Sequence, residues 1–403
     1  MYKSQRELYL DYIKLVALFF VAWAHFVSVG TFAPSVPYVL SMPENISERF
    51  SDALIYSLPI IPQTQHSLWK LESFLYNGIE IQLGMVGVVL FFFITGFLCT
   101  DSQKKYNVGE VDNVLKLNLF THRLLNFWPT VFFTLIISSF VLVILFKINL
   151  NFSFFSNFVF TATFLNVFIP SLDFFLHIQN YTPIVFWGGV NWFLNVLVFF
   201  FFISTYLFSR YSVKGVLICF LFLYFLLLLP KIAWPNQFTN KFAYYAPFCG
   251  IILTGSFARL TEQLKFNLSK LILSLLIFSL MLGLFKLRDY LNNSFDTYSN
   301  LSTYLFSFVI VVFFKLLDTY KKKWLLIFYP LVSSLAKLFL PFYLLHVIVG
   351  LPLLSLIYNY LKIPTLSIII SICLVLVISS IVYKFSNLIE NSYSYKRFTS
   401  FLS

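Results

Sequence analysis

The sequence predicts an all-α fold: a polytopic membrane helical bundle of about ten transmembrane helices, forming a single domain over residues 1–403 with both termini cytoplasmic. Three observations carry this prediction. First, 59% of the residues are hydrophobic and only 11% are charged, against about 25% charged in an ordinary soluble domain; a soluble fold of this length has too much water-facing surface to hide so much apolar material. Second, apolar runs near the length of about 20 residues that a bilayer requires recur along the whole chain. Third, the basic residues behind the net charge of +12 sit between those runs with the asymmetry of positive-inside topology.

The runs lie near 8–29, 83–100, 127–147, 187–208, 215–230, 246–262, 271–287, 301–317, 338–358 and 366–387. Lys3 and Arg6 precede the first, and Ala22-Trp23-Ala24 resembles a cleavage site. Glu7 and Asp11 in that leader, and the similar segments downstream, mark it as an uncleaved first span. A further apolar run, 153–170, follows span three after only a few polar residues and is read as re-entrant or interfacial. With the N-terminus inside and 153–170 not counted, 20 of the 28 Lys and Arg fall on the inner side and eight on the outer. Counting it would move Lys321, Lys322 and Lys323 outside, against the rule. The external loop 30–82 contains Pro34, Pro37, Pro43, Pro59 and Pro62 and a short amphipathic piece around Ser67–Tyr76; a loop of this length is often functional and here would lid an outward-facing cavity. No internal repeat and no attached soluble domain is evident.

Other partner classes are argued against by the same sequence. The basic residues form no stripe, so no nucleic acid is expected. Cys99, Cys219, Cys249 and Cys373 each stand alone in apolar runs without metal or redox spacing, and the histidines show no metal spacing either. No metal is expected.

Ionisable groups within the membrane are costly and are candidate functional groups by default. The first span carries Asp11, Lys14 and His25. Eleven residues separate Lys14 from His25; at 100° per residue that is about 20° past three turns, placing both on one face roughly 16 Å apart along the axis. Asp11, three residues before Lys14, can pair with it. The alternative is a snorkelling lysine and a histidine that satisfies a neighbouring helix. Further along, Gly84, Gly87 and Gly96 accompany Phe91-Phe92-Phe93-Ile94-Thr95-Gly96-Phe97 and suit close helix approach. Arg123 opens span three beside Trp128-Pro129; its planar fork suits phosphate, and a positive-inside anchor is the alternative. Trp187, Asn191 and Trp192 at the mouth of span four read either as an aromatic belt or as a sugar platform. Tyr343 and His346 share a face of the ninth run.

In this order these features resemble the acyltransferase-3 family of membrane acyltransferases. That family's first helix carries a basic residue, usually Arg, then ten residues and His, matched by Lys14 and His25 with Asp11 before them. Its run of paired Phe leading to Ser-Gly-Phe is matched by Phe92–Phe97, with Thr95 for Ser. Its Arg-x-x-Arg is matched by Arg123 alone, with Asn126 at the second position. Trp192-Phe193-Leu194 and Tyr343–His346 match its later motifs, and Asn195 is uncharged where some members carry an acid.

The resemblance implies transfer of an acyl group, commonly acetyl, from cytoplasmic acyl-CoA to a hydroxyl of a cell-surface polysaccharide or its lipid-linked precursor, in the inner or plasma membrane. It implies no bound cofactor, acyl-CoA (acetyl-CoA) being the donor substrate. His25 is expected as general base, because its reference pKa of about 6.5 suits it to the task. Asp11 and Lys14 are expected to organise the donor side, Lys14 and Arg123 to hold the coenzyme's phosphates, Trp187, Asn191 and Trp192 to bind the acceptor, and Tyr343 and His346 to orient the acceptor or His25. A transporter or flippase for lipid-linked oligosaccharide without acyl-transfer activity is the competing class; such folds often carry inverted repeats, and none is seen.

Overall fold

The computed structural model describes residues 8–28, 67–105, 113–145, 150, 152–168, 186–189, 191–206, 212–232, 237–262, 268–292, 300–392 and 395. Among these, every regular element is helical. In chain order they are α1 (Leu8–Trp23), continued by a π-helical turn (Ala24–Ser28), α2 (Ser67–Ile79), α3 (Leu83–Lys105), α4 (Asn113–Leu125), α5 (Trp128–Ile144), α6 (Phe152–Ala162) and α7 (Leu165–Phe168). A 3₁₀ turn (Phe186–Gly189) leads to α8 (Asn191–Tyr206), α9 (Val213–Ile232), α10 (Gln237–Thr261), α11 (Leu268–Asn292), α12 (Leu301–Tyr320), α13 (Lys322–Ala336), α14 (Phe339–Leu345), α15 (Gly350–Leu361) and α16 (Pro364–Asn391). The amphipathic piece expected near 67–76 is α2. The prolines of loop 30–82, and the chain ends 1–7 and 396–403 on which the placing of both termini rests, lie outside the described residues.

At the centre, α3 packs against α1, α10 and α12. The contact of α3 with α10 is close because Gly96 faces the carbonyl of Ile252 and Gly255 faces the carbonyl of Phe93, so a Cβ at either position would overlap the opposing backbone. Small residues at a crossing let backbones approach in a bilayer, where apolar burial does not drive helices together. The Ser256 hydroxyl donates to the carbonyl of Gly96 at 3.0 Å across the same contact.

Paired contacts fix the helix directions. Gly84 meets Ala24 and Gly87 meets Ala17, so α1 and α3 run antiparallel. Phe92 meets Phe248 and Asp101 meets Arg259, so α10 runs parallel to α3. Phe93 meets Phe308, and the backbone N–H of Gln82 donates to Thr303, so α12 is parallel to α3 too. One end of the bundle therefore holds Asp11, Lys14, Asp101, Arg259 and Lys315. The other holds the π turn after α1 and the starts of α3, α8, α10 and α12.

Among the described residues six helices are long and apolar enough to cross a membrane: Leu8–Val27, Leu83–Asp101, Val213–Ile232, Leu268–Leu291, Leu301–Tyr320 and Pro364–Asn391. Counting two bent pairs as one span each, Leu119–Leu125 with Trp128–Ile144 (41°) and Lys322–Ala336 with Phe339–Leu345 (46°), makes eight. Each of the ten predicted segments contains helix, but among the described residues six to eight helices meet the length and composition of a span. Two differences have clear causes. Helix α8 has 16 residues, about 24 Å at 1.5 Å per residue and short of the roughly 30 Å hydrocarbon core. Helix α10 is long enough at 25 residues, but its stretch 245–257 is buried by α3, α9 and α11 and tolerates Thr, Ser and Gly that lipid would not favour.

Two predicted segments are reshaped. The run 338–358 is broken at residues 346–349 between α14 and α15; Pro352 supplies no N–H to a continuous ladder, and the side chain of Phe26 fills the space beside Gly350. In 153–170, α6 has 11 residues and stops before Phe164, whose φ is 59°. At roughly 1.5 Å per residue it falls far short of a span. Trp128 holds it against α5 by donating its indole N–H to the carbonyl of Ala162 at 3.0 Å.

Candidate functional site

Helix α1 presents its polar residues at two depths. In its first turn Asp11 is 1% exposed; Lys14 Nζ lies 3.4 Å from Oδ1, and the Tyr329 hydroxyl of α13 donates to Oδ2 at 3.2 Å. Tyr12 donates to the carbonyl of Leu325 and stacks on Phe314. The Asp11–Lys14 pair is thus locked to α13 rather than standing free on one helix.

Eleven residues on, His25 sits in the π-helical turn. The straight helix assumed for its spacing from Lys14 holds through Trp23 and then widens. Single π turns inside α-helices occur frequently at functional sites, and a change of pitch re-aims the side chains on it. His25 is aimed at His346, which caps the C-terminus of α14 where the helix breaks. The two imidazoles meet edge to face with centroids 4.6 Å apart and planes at 74°.

His346 is fully buried. Its Nδ1 lies 2.6 Å from the carbonyl oxygen of Tyr343. A carbonyl only accepts, so Nδ1 carries the proton, and in the neutral ring Nε2 holds a lone pair. His346 Nε2 and His25 Nδ1 are both buried with no hydrogen-bond partner among the described residues.

An aromatic wall surrounds the pair. Phe342 stacks parallel to the His346 ring at 5.8 Å. Tyr343 packs on Phe193 at 4.2 Å, and Phe193 stacks on Phe92 at 4.9 Å. Phe91 stacks on Phe339 at 4.1 Å with planes 9° apart. Trp192 packs on Phe248 at 4.8 Å. The Phe-rich run of α3, the start of α8 and the Tyr-Leu-x-His segment of α14, far apart in sequence, form one cluster beside His25.

The other predicted residues are placed differently. Arg123 is buried at the opposite end, where Nη1 donates to Ser204 at 3.0 Å and Thr205 at 3.4 Å, and Nη2 to the carbonyl of Cys99 at 3.2 Å. Its fork ties α4 to α3 and α8. Trp187 is completely buried in the 3₁₀ turn with φ of 63°, packed inside the protein and not at an open mouth. Asn191 begins α8, and its side chain lies outside the described residues. The structure therefore groups His25, His346, Tyr343 and Trp192, and sets Asp11, Lys14 and Arg123 apart from them toward the other end. Among the described residues no three His, Cys, Asp or Glu gather as a metal site.

Some residues near these sites carried little signal in the sequence. Arg288 is 4% exposed and lies over the rings of Tyr244, Phe248 and Phe285; it follows an apolar run, so it reads as loop charge. Near Lys14, Arg259 joins Asp101 at 2.6 Å and also Glu262, which Lys315 meets at 2.7 Å. Burial alone would raise the Glu262 carboxyl, but the hydrogen bonds and charges of Lys315 and Arg259 outweigh it and hold the group below its ordinary value. These four are ordinary span-flanking charges until the helices are assembled.

A family model described as an acyltransferase domain matches residues 7–384, nearly the whole chain, including every residue of the cluster around His25. No curated protein and no solved structure matches the chain. With its bundle of long apolar helices, the chain is a membrane acyltransferase and belongs to the acyltransferase-3 family.

Proposed function

We propose that this protein moves an acetyl group from acetyl-CoA to a hydroxyl of a surface polysaccharide or its lipid-linked precursor, with His25 as general base, at the inner or plasma membrane. The observation that supports this most is the edge-to-face contact of His25 with His346 at 4.6 Å, where each stands at an irregular point of its helix. A sugar hydroxyl is a weak nucleophile near neutral pH, and a base within reach of its proton contributes roughly 10²–10⁴ in rate.

In this account His25 takes the proton as the hydroxyl oxygen attacks the thioester carbonyl; the C–O bond forms, the C–S bond breaks, and the departing thiolate takes up that proton, so the coenzyme leaves as its thiol and His25 returns to its neutral form. His346 is a positioning residue. Its Nδ1–H bond to the Tyr343 carbonyl fixes the ring, which in turn fixes the edge that His25 meets. Trp192 and Tyr343 offer flat apolar faces for a sugar ring. Asp11 and Lys14 stand toward the other end of α1, where Lys14, 21% exposed at its side chain, meets the phosphates of the coenzyme. Arg123 supports that side by holding α4 against α3 and α8.

The test is to incubate membranes containing the protein with acetyl-labelled acetyl-CoA and the glycan. Label in ester linkage to the glycan supports the reading. Glycan carried across the bilayer with no label in it would instead establish a transporter.

A further inference from the structure

Where α12 meets α13, three cations stand in a row. Lys321 joins the two helices with φ of −128° and ψ of 33°, and Lys322 and Lys323 open α13. All three are exposed. The one acid between residues 316 and 338 is Asp318, and its Oδ1 is buried with no hydrogen-bond partner among the described residues. Asp11, Asp101 and Glu262, which other helices bring to this end of the bundle, pair with Lys14, Arg259 and Lys315 instead.

The same junction is apolar on its outer side. Tyr320 and Trp324 flank the lysines at 77% and 66% exposed, and Ile327, Phe328 and Leu331 are exposed beyond them. Positions 324, 327, 328 and 331 share one face of α13. The other face is anchored on α1. Leu325 is buried and its carbonyl accepts from the Tyr12 hydroxyl at 2.5 Å, and Tyr329 donates to Asp11 at 3.2 Å.

Tyr and Trp favour the headgroup level of a bilayer, and lysine stems lie along apolar surface while their ammonium groups stay at the interface. A phospholipid with net negative charge carries a phosphate for the lysines and acyl tails for the stripe, in that order along α13. Free phosphate would meet the cations and leave the stripe uncovered. We propose that Lys321, Lys322 and Lys323, with Tyr320 and Trp324, form a site for anionic phospholipid that holds the start of α13 on α1.

The test uses the full-length protein in detergent, titrated with dioctanoyl phosphatidylglycerol, dioctanoyl phosphatidylcholine or inorganic phosphate, with bound species counted by native mass spectrometry. Each lysine at an anionic surface contributes roughly fivefold in affinity. The wild type is expected to bind the glycerol lipid about tenfold or more tightly than the choline lipid. Replacing all three cations, Lys321→Gln with Lys322→Gln and Lys323→Gln, is expected to remove most of that preference, and the matching triple change to Arg to keep it. Hydrogen exchange of the wild type locates the site even if a variant fails to fold: backbone amides at 322–329 are expected to exchange more slowly with the glycerol lipid than with the choline lipid. Equal affinity for the two lipids would overturn the proposal, as would a preference that survives the triple Gln change or an unchanged exchange at 322–329. Inorganic phosphate that displaces the lipid at equal concentration would reduce the site to a phosphate site. A dimer that the triple Gln variant loses would assign the patch to a second copy. Either of these results also overturns the proposal. No readout here involves acyl transfer, so failure of the lipid site leaves the proposed function where it stands.

Discussion

His25 and His346 stand edge to face at 4.6 Å, one on a π turn at the end of α1 and the other at the break after α14. Nearly the whole chain lies between them in sequence. The second is pinned by its own backbone through the Tyr343 carbonyl, and in the proposed function the first takes the substrate's proton. His346→Gln keeps approximate volume but loses the ring that His25 meets. It is expected to lower kcat by about tenfold or more through lost orientation while leaving KM for acetyl-CoA unchanged. A matched change in both constants would argue for a structural role only.

At the other end of α1, the proposed function makes charge the property expected to matter at Lys14. Lys14→Arg keeps the charge and is expected to retain most activity. Lys14→Ala removes the cation beside a buried carboxylate and is expected to raise KM for acetyl-CoA more than it lowers kcat. Steady-state kinetics in proteoliposomes, with expression checked, distinguish the two. Equal loss in both variants would contradict a charge-based role.

Arg123 is a clamp before it is a ligand. Arg123→Ala leaves the Ser204 and Thr205 hydroxyls and the Cys99 carbonyl without the guanidinium that joins them. The expected destabilisation is about 1–3 kcal/mol, visible as a lower thermal midpoint in detergent. An unchanged midpoint would show that the fork is free to serve the coenzyme instead.

The crossing of α3 and α10 gives a purely steric prediction. Gly96→Ala drives a methyl into the backbone of Ile252, and overpacking of this kind costs about 1–3 kcal/mol or more. Gly78→Ala in α2 meets only ordinary contact at 3.6 Å with Phe74, and replacing a helical glycine stabilises by roughly 0.5–1 kcal/mol. Thermal unfolding of the two variants is expected to move in opposite directions.

The Glu262 cluster predicts a pH dependence. Its folded carboxyl lies below the ordinary value of 4.5, so its stabilising effect is complete above that value and is lost as pH falls through the folded value. Glu262→Gln is expected to lower the thermal midpoint at pH 7, with the difference from wild type closing as the pH drops below about 4.5. A difference that is constant with pH would show that the loss is of packing and not of charge.

Much of this architecture is legible in the sequence, because a bilayer leaves apolar length as a strong signal. The six long spans coincide with predicted runs, and the amphipathic piece after the external loop is α2. Helix α10 shows the limit: its polarity was affordable only because other helices bury it. His25 is legible as a polar residue deep in an apolar run, and His346 through its spacing from Tyr343. Their meeting is not legible, because it depends on how α1 and α14 pack and on a change of pitch with no local signature. Arg288 is missed for a related reason. A charge at the end of an apolar run looks like a loop residue until Tyr244, Phe248 and Phe285 close around it. Arg123 is visible as a cation, whereas its partners are small polar residues and a backbone carbonyl with no pattern of their own.

The most direct measurement of the central claim is acetyl transfer from labelled acetyl-CoA to the glycan by His25→Gln, inserted and expressed at the wild-type level. Glutamine fills similar space and forms hydrogen bonds but accepts no proton near neutral pH. The account predicts a fall in the transfer rate of roughly 10²–10⁴ with acetyl-CoA binding retained. Transfer at the wild-type rate would contradict it and remove His25 from the chemistry.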